Sequence, residues 1–323
     1  MLHNLKGITM ERIEVKDIYQ FVNQEIDTYL LVLKKELREG KKDHFIRVEF
    51  TDKSGPITGN VWNNALAVMD MFKEGEVAKI RATVINYKDQ IQLNIKKIRT
   101  AEANEYEFAD FIPQTKKDMS MLSDEFFALI DSISDEHIKT LLTNIFEDKE
   151  LWDKFYQCPA AKSWHHNYVG GLLEHTISVA KICDFASKLY PVKRDELIAG
   201  ALLHDFGKIF EYTTLPSIEF TDEGRLLGHI AMGDYFLCQK AHEINLFPIK
   251  TLMKIRHLIL SHHGEPEKGA VKIPQTLEAI VLHFADNMDA QTTGVNQLIE
   301  AVNDPNAQWT EYDRLNNRYI YIG

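Results

Sequence analysis

Leu202-Leu203-His204-Asp205-Phe206-Gly207-Lys208 closes an apolar run that begins at Leu197 and sets an imidazole beside a carboxylate. Both groups are good ligands for borderline divalent metals. A bare His-Asp pair is a weak signal. It gains weight from His175 upstream and from His229, His262-His263 and Asp286 downstream. Ten of the 13 histidines lie between His165 and His283.

Working outward from that pair, the chain reads as helical. Periodic apolar residues predict helices over Gly170 to Leu189 (ended by Pro191), Arg194 to His204, Gly228 to Ile244, Ile249 to Leu260 and Gln275 to Met288. Upstream, Ser123-Asp124-Glu125 reads as a cap before Phe126 to Ile133, and Ser134-Asp135-Glu136 starts Ile138 to Phe146. Asp148 to Tyr156 follows. The expectation is an all-α domain over 119–310. A tail, 311–323, carries Tyr312, Tyr319 and Tyr321 and is expected to pack back on a domain or partner.

The first hundred residues have a different period. Tyr29 to Leu33, His44 to Phe50, Ile57 to Trp62, Val77 to Tyr87 and Gln90 to Ile98 read as strands. Lys34 to Asp43 and Asp52 to Gly55 read as turns, and Ala65 to Phe72 as a short helix stopped by Gly75. Three strands, a helix and a two-stranded hairpin are the element order of an OB-fold barrel. The reading is therefore multidomain: an N-terminal arm (1–26, helical around Val15 to Asn23), an all-β OB-fold barrel (27–100), a polar linker with Pro113 (101–118), then the all-α domain. OB-folds grip single strands with basic and aromatic side chains. Lys35, Arg47 and Trp62 are the foremost candidates, among Lys34, Arg38, Lys41, Lys42, Phe45, Tyr87 and Lys88. The structural alternative is that Phe45 and Trp62 are core and that Lys34 to Lys42 is a solvated loop.

Charge is unevenly spread. The first hundred residues hold 17 Lys and Arg against 14 Asp and Glu; the remainder hold 20 against 34, and the whole chain carries −11. That argues against a nonspecific nucleic-acid coat but allows a basic surface on the barrel. Three scattered cysteines, Cys158, Cys183 and Cys238, form no disulfide framework, which points to the reducing cytoplasm. The N-terminus shows no signal-peptide pattern, and no apolar run approaches the ~20 residues of a membrane span.

His175, His204-Asp205 and Asp286 fall on or near three predicted helices, as a cation enclosed by converging side chains requires. His229 and His262-His263 add three imidazoles from two further elements. If Asp205 bridges, the seven residues can hold two ions, and ions ~3.5–4 Å apart suit phosphoryl hydrolysis. The order His175, His204-Asp205, Asp286 resembles the HD superfamily of metal-dependent phosphohydrolases, with matching contexts "GGLLEHT", "LLHDFGK" and "HFADNMDA". His229 ("GH") and His262-His263 ("SHHG") resemble its two-metal subset. An OB-fold ahead of this domain, with "WHHNYVGGLLEHT" and "GRLLGHI", makes the chain similar to the YhaM-type 3′-5′ exoribonucleases of bacteria.

That resemblance implies one metal on His175, His204, Asp205 and Asp286, and a second on Asp205, His229, His262 and His263. It implies manganese first, with iron, cobalt, magnesium, nickel or zinc as alternatives. It further implies hydroxide attack on the terminal phosphodiester of single-stranded RNA, with nucleoside 5′-monophosphates as products. Single-stranded DNA is a second candidate substrate, and a homo-oligomer is left open. Lys208 is expected to meet a phosphate oxygen, with the alternative of a surface lysine. His166 is a candidate general acid, His165 and Arg225 are candidate substrate contacts, and Asp289 is a candidate orienter of a ligand histidine. Three other readings stay open. One is an HD phosphodiesterase for small or cyclic nucleotides, although Gly264 to Gly269 lacks a GYP signature. The others are a nucleic-acid-binding factor and a di-iron oxygenase.

Overall fold

The computed structural model describes residues 12–40, 43–88, 90–106, 110–112, 114–162, 166–213, 218–302, 307–313 and 316–323. The chain divides into two compact units, Met1–Gln114 with Leu215–Ser217, and Thr115–Thr214 with Ile218–Gly323.

The first unit is a closed five-stranded barrel. Its strands are β1 (Glu25–Glu39), β2 (His44–Asp52), β3 (Gly55–Val61), β4 (Val77–Tyr87) and β5 (Gln90–Thr100), with the short helix α1 (Ala65–Val68) between β3 and β4. The barrel order is β1-β2-β3-β5-β4, antiparallel except for the β3–β5 pair. Alternation builds it. Ile46, Val48 and Phe50 of β2 and Ile80, Ala82 and Val84 of β4 point inward with period two. Register shifts lie between Val32 and Lys34 and between Arg81 and Ala82, where an extra residue bends a strand and helps a sheet close.

Three details differ from the sequence expectation. The charged segment from Lys34 to Glu39 is strand rather than turn, because it pairs with β2 through its backbone while its side chains stay largely outside the core. The segment before β1 is not peripheral. A 3₁₀ turn, Val15–Phe21, buries Ile18 in the barrel core, and Thr28 Oγ1 donates to Ile13 O. Residues 101–106 and 110–112, read as part of a linker, pack within the barrel unit: Phe111 is buried under the Arg12 guanidinium, and Glu105 pairs with Arg99.

The second unit is helical: α2 (Met119–Asp131), α3 (Glu136–Phe146), α4 (Lys149–Gln157), α5 (Gly171–Ser187), α6 (Arg194–Leu203), α7 (Lys208–Glu211), α8 (Asp222–His242), α9 (Ile249–Ser261) and α10 (Leu277–Glu300). A two-residue hairpin, β6 (Tyr212–Thr213) with β7 (Glu219–Phe220), joins α7 to α8. Asp135 caps α3 within the start that the sequence suggests, and Asp148, read as the first residue of its helix, is the cap of α4. The cap of α2 is Asp118 rather than Ser123, with its carboxylate accepting from the amides of Ser120 and Met121. α5 and α6 are apolar nearly all round and form the buried centre against which α9 and α10 pack. Their inward polar residues therefore meet in the interior. Among the described residues, no helix is long and apolar enough to cross a membrane.

Candidate metal centre

Five helix positions supply the cluster. His175 sits on α5 and is fully buried. His204 and His262 are the C-cap residues of α6 and α9. Each donates Nδ1–H to a carbonyl three residues back, Ala201 O at 2.8 Å and Ile259 O at 2.7 Å. Those bonds fix the tautomer and turn the Nε2 lone pairs inward.

Asp205 follows His204 in the turn before α7. Its Oδ2 lies 3.3 Å from His204 Nε2, 3.5 Å from His175 Nε2 and 2.6 Å from Lys208 Nζ. Its Oδ1 faces the other way, 3.4 Å from His229 Nε2 and 3.6 Å from His262 Nε2. One carboxylate thus divides its oxygens between two groups. The potential donor atoms of Asp205, His229, His262 and His263 lie within 4.8 Å of one another, as do those of His175, His204 and Asp205. Asp286 Oδ1 on α10 adds a carboxylate 3.2 Å from His175 Nε2 and 3.9 Å from His204 Nε2.

Two carboxylates hold two of the three remaining rings. Asp289, one turn beyond Asp286, accepts from His175 Nδ1 at 2.7 Å. Glu211, at the end of α7, accepts from His229 at both the backbone N (3.0 Å) and Nδ1 (3.2 Å). Two glycines make this possible. A Cβ on Gly207 would stand 2.0 Å from His229 O, so only glycine lets α7 approach α8. Gly228 (φ 73°, ψ 153°) breaks α8 just before His229 and turns that residue's amide to Glu211. The sequence places the start of α8 at Gly228; the helix begins at Asp222, capped by Thr221, and Gly228 is its kink.

The field in the cluster is uneven: it favours positive charge at His175 and disfavours it at His262 and His263. Burial disfavours the charged form of His175, yet Asp286 and Asp289 outweigh it and raise the pKa to about 9. Burial likewise opposes ionisation of Asp205, but Lys208 and His204 hold its carboxyl well below the ordinary range. Burial would also raise the carboxyl of Asp286, which the surrounding imidazoles, His175 foremost, instead push far down. His263 is lowered to about 3 by burial and by the neighbouring His262 and His229. Glu211 is lowered despite burial because His229 bonds it.

The residues fit a divalent cation on an independent observation. Asp205 Oδ1, His229 Nε2, His262 Nε2 and His263 Nδ1 are buried and have no hydrogen-bond partner among the described residues. Such atoms are costly when unsatisfied, and these four converge. Two of the four residues, Asp205 and His263, line a cavity of about 510 Å³ together with Lys208, Asp286, Asn287, Gln291 and Asn316.

The other expected site residues are dispersed. Lys208 lines the cavity with its ammonium on Asp205. His166 is 2% exposed, and both its ring nitrogens are engaged, Nε2 with Asp289 Oδ2 (3.0 Å) and Nδ1 with Tyr168 OH (2.9 Å). It stands behind His175 rather than in the cavity lining, a position that suits an orienting role better than that of a general acid. Arg225 is exposed on α8 with its guanidinium over Phe220. His165 lies outside the described residues, as do Lys41 and Lys42.

On the barrel, Trp62 is 49% exposed and stacks on Phe45, with centroids 4.5 Å apart. Arg47 is half-buried two residues beyond Phe45 on the same outward side of β2, opposite Asn60. Lys35 is engaged within the barrel unit. Its ammonium donates to Phe72 O at 2.6 Å and to Met69 O, and it lies over the Phe72 ring. It ties the segment after α1 to β1. Sequence reasoning also missed Glu211 and Gln291, which belong to no motif; the only trace of Glu211 is its place three residues after Lys208.

Residues 172–291 match the HD domain model, a span that holds all seven cluster residues, and residues 31–101 match that of the OB-fold nucleic acid binding domain. Over 313 residues the chain is 30% identical to the 3′-5′ exoribonuclease YhaM of Geobacillus sp. strain WCH70, covering 94% of each. The chain belongs to the YhaM family. Among solved structures, the second OB-fold domain of replication protein A from Methanococcus maripaludis aligns with 28% of this chain and 96% of its own length, at 16% identity and a TM-score of 0.24.

Proposed function

We propose that this chain is a metal-dependent 3′-5′ exoribonuclease that shortens single-stranded RNA from a free 3′ end and releases nucleoside 5′-monophosphates. The observation that carries this is the convergence of four orphaned, buried donor atoms on Asp205, His229, His262 and His263 beside the His175–His204–Asp205 group. We assign one ion to His175, His204, Asp205 and Asp286 and a second to Asp205, His229, His262 and His263. Manganese is our first choice; iron, cobalt, magnesium, nickel and zinc accept the same donors. Ions held there polarise a phosphate oxygen and lower the pKa of water toward neutrality.

The chain's own residues do the rest. His204 and His262 present inward lone pairs because their Nδ1–H groups are held by carbonyls. Asp289 and Glu211 orient His175 and His229 from behind. Lys208 offers an ammonium to a phosphate oxygen in the cavity. The Trp62–Phe45 stack supplies a platform for a base, and Arg47 a positive charge beside it. We include single-stranded DNA as a substrate, because stacking and phosphate contacts are indifferent to the 2′ position. The three cysteines are free, in keeping with a reducing compartment such as the cytoplasm.

The test is incubation of the protein with 5′-labelled single-stranded RNA, with and without Mn²⁺, beside Asp205→Ala. A ladder shortening from the 3′ end, dependent on metal and reduced at least about 10³-fold in the variant, is expected. Intact RNA and DNA alongside a cleaved cyclic dinucleotide would contradict the reading.

A further inference from the structure

The aromatic residues near the C-terminus are not accounted for by the site described so far. Trp309 and Tyr321 pair across an antiparallel bridge, as do Asp313 and Arg318. One side of this hairpin is buried, with Thr310 and Asp313 each 5% exposed. The other side is a row of rings. Trp309 contacts Tyr321 at 5.1 Å between centroids, and Tyr312 contacts Tyr319 at 5.0 Å. Tyr319 and Tyr321 are two apart in a paired segment and so share a side. All four rings stay open to solvent, at 44–59% exposure.

The hairpin is tied to the helix that carries Asp286. Arg318 donates to Gln291 Oε1 at 2.6 Å, and Gln291 Nε2 donates to Asn316 Oδ1 at 3.2 Å. Asn316 in turn donates to the buried carboxylate of Asp313 at 2.6 Å. Gln291 and Asn316 both line the cavity into which Asp205, His263 and Asp286 face. The ring row therefore belongs to an element that is itself a wall of the hydrolytic cavity.

We propose that this hairpin, residues 308–313 and 316–322, is a base-stacking subsite for the single strand whose end enters the cavity. It rests on the reading of the substrate as a polynucleotide. Flat apolar rings that remain exposed in cross-strand pairs suit nucleobases, since every base has a stacking face and none is selected by edge. Phosphates of the same strand would meet Lys208 and Lys268 in the cavity lining. The subsite acts on the 3′-terminal nucleotides, independently of whatever the barrel holds.

The experiment uses the full chain in EDTA with a short, fluorescein-labelled oligoadenylate and reads affinity by anisotropy. Two double variants, Trp309→Ala with Tyr321→Ala and Tyr312→Ala with Tyr319→Ala, are compared with the same positions changed to Phe. Each Ala pair is expected to weaken binding about tenfold or more, and each Phe pair to stay within about threefold of wild type. In parallel, 2-aminopurine placed near the 3′ end should be quenched by the wild type and not by the Ala pairs, whereas 2-aminopurine far from that end should not report the hairpin.

Wild-type affinity in the Ala pairs overturns the proposal. So does equal loss in the Ala and Phe pairs, which marks a folding role. A changed mass in light scattering with unchanged RNA affinity also overturns it and makes the row a contact between copies. The two readings fail separately. A wild type that binds the strand but never shortens it with Mn²⁺ contradicts the exoribonuclease reading. A wild type that shortens it while the Ala pairs bind normally contradicts the hairpin subsite.

Discussion

The barrel and the helical unit treat buried polarity in opposite ways. In the barrel unit the fully buried Asp52 is satisfied from within: it accepts from the amides of Val15 and Ser54 and from Ser54 Oγ. Of the two atoms there without a hydrogen bond, Glu14 Oε2 lies 2.8 Å from Lys16 Nζ, and Arg12 Nη1 belongs to a guanidinium whose Nη2 pairs with Glu14 and Asp52. Among the described residues of the helical unit, Thr176 Oγ1 is unpartnered on its own, whereas the other four such atoms, on Asp205, His229, His262 and His263, point at one another within 4.8 Å. The first pattern serves folding alone. The second is costly until something positive joins it, because buried donors and acceptors without partners cost free energy.

Metal removal breaks this comparison most strongly. If the ions bind only the folded helical unit, saturating Mn²⁺ at about a hundred times its dissociation constant adds roughly 2.7 kcal/mol. EDTA should then lower that unit's calorimetric transition by roughly 5–10 °C and leave the barrel's in place. Equal shifts in both would show that the cluster's polarity is satisfied without metal.

A smaller effect is expected one layer out. Glu211→Gln removes the negative charge behind His229 but keeps an acceptor, so Mn²⁺ affinity should fall about 10–100-fold, read by titration calorimetry. The helical unit should melt normally without metal. A loss of that apo stability would mean that Glu211 holds the fold rather than the ring.

How legible these features were in the sequence follows from their physics. β4 is matched at both ends because Val77 to Tyr87 alternates cleanly. β1 is longer than its apolar stretch, because Lys34 to Glu39 pairs by backbone and its charged side chains resemble a loop. The seven cluster residues could be picked out because imidazole and carboxylate are rare partners on apolar helices. Their orienting residues were less visible: Asp289 follows Asp286 by one helical turn, while Glu211 reaches His229 only through the break at Gly228. The contacts of Lys35 were invisible because sequence registers its charge and not the carbonyls of Met69 and Phe72 that accept from it.

On the barrel the expected effects are smaller still and separate two kinds of exposed residue. Trp62→Ala should weaken single-stranded RNA binding about tenfold, as loss of one stacked base does. Lys35→Met should change that affinity less than about twofold while lowering barrel stability by about 1–2 kcal/mol, because two carbonyls lose their donor. Filter binding and urea unfolding check the pair; the reverse pattern would return Lys35 to the binding face.

The central claim is that Asp205 joins two cation sites through its two oxygens. Counting Mn²⁺ bound per chain, by electron paramagnetic resonance during titration of metal-free protein, tests it directly. The account predicts two ions on the wild type, with spin coupling between them, and loss of the coupled pair in Asp205→Ala. No tightly bound ion on the wild type, or the same coupled pair in the variant, would contradict it.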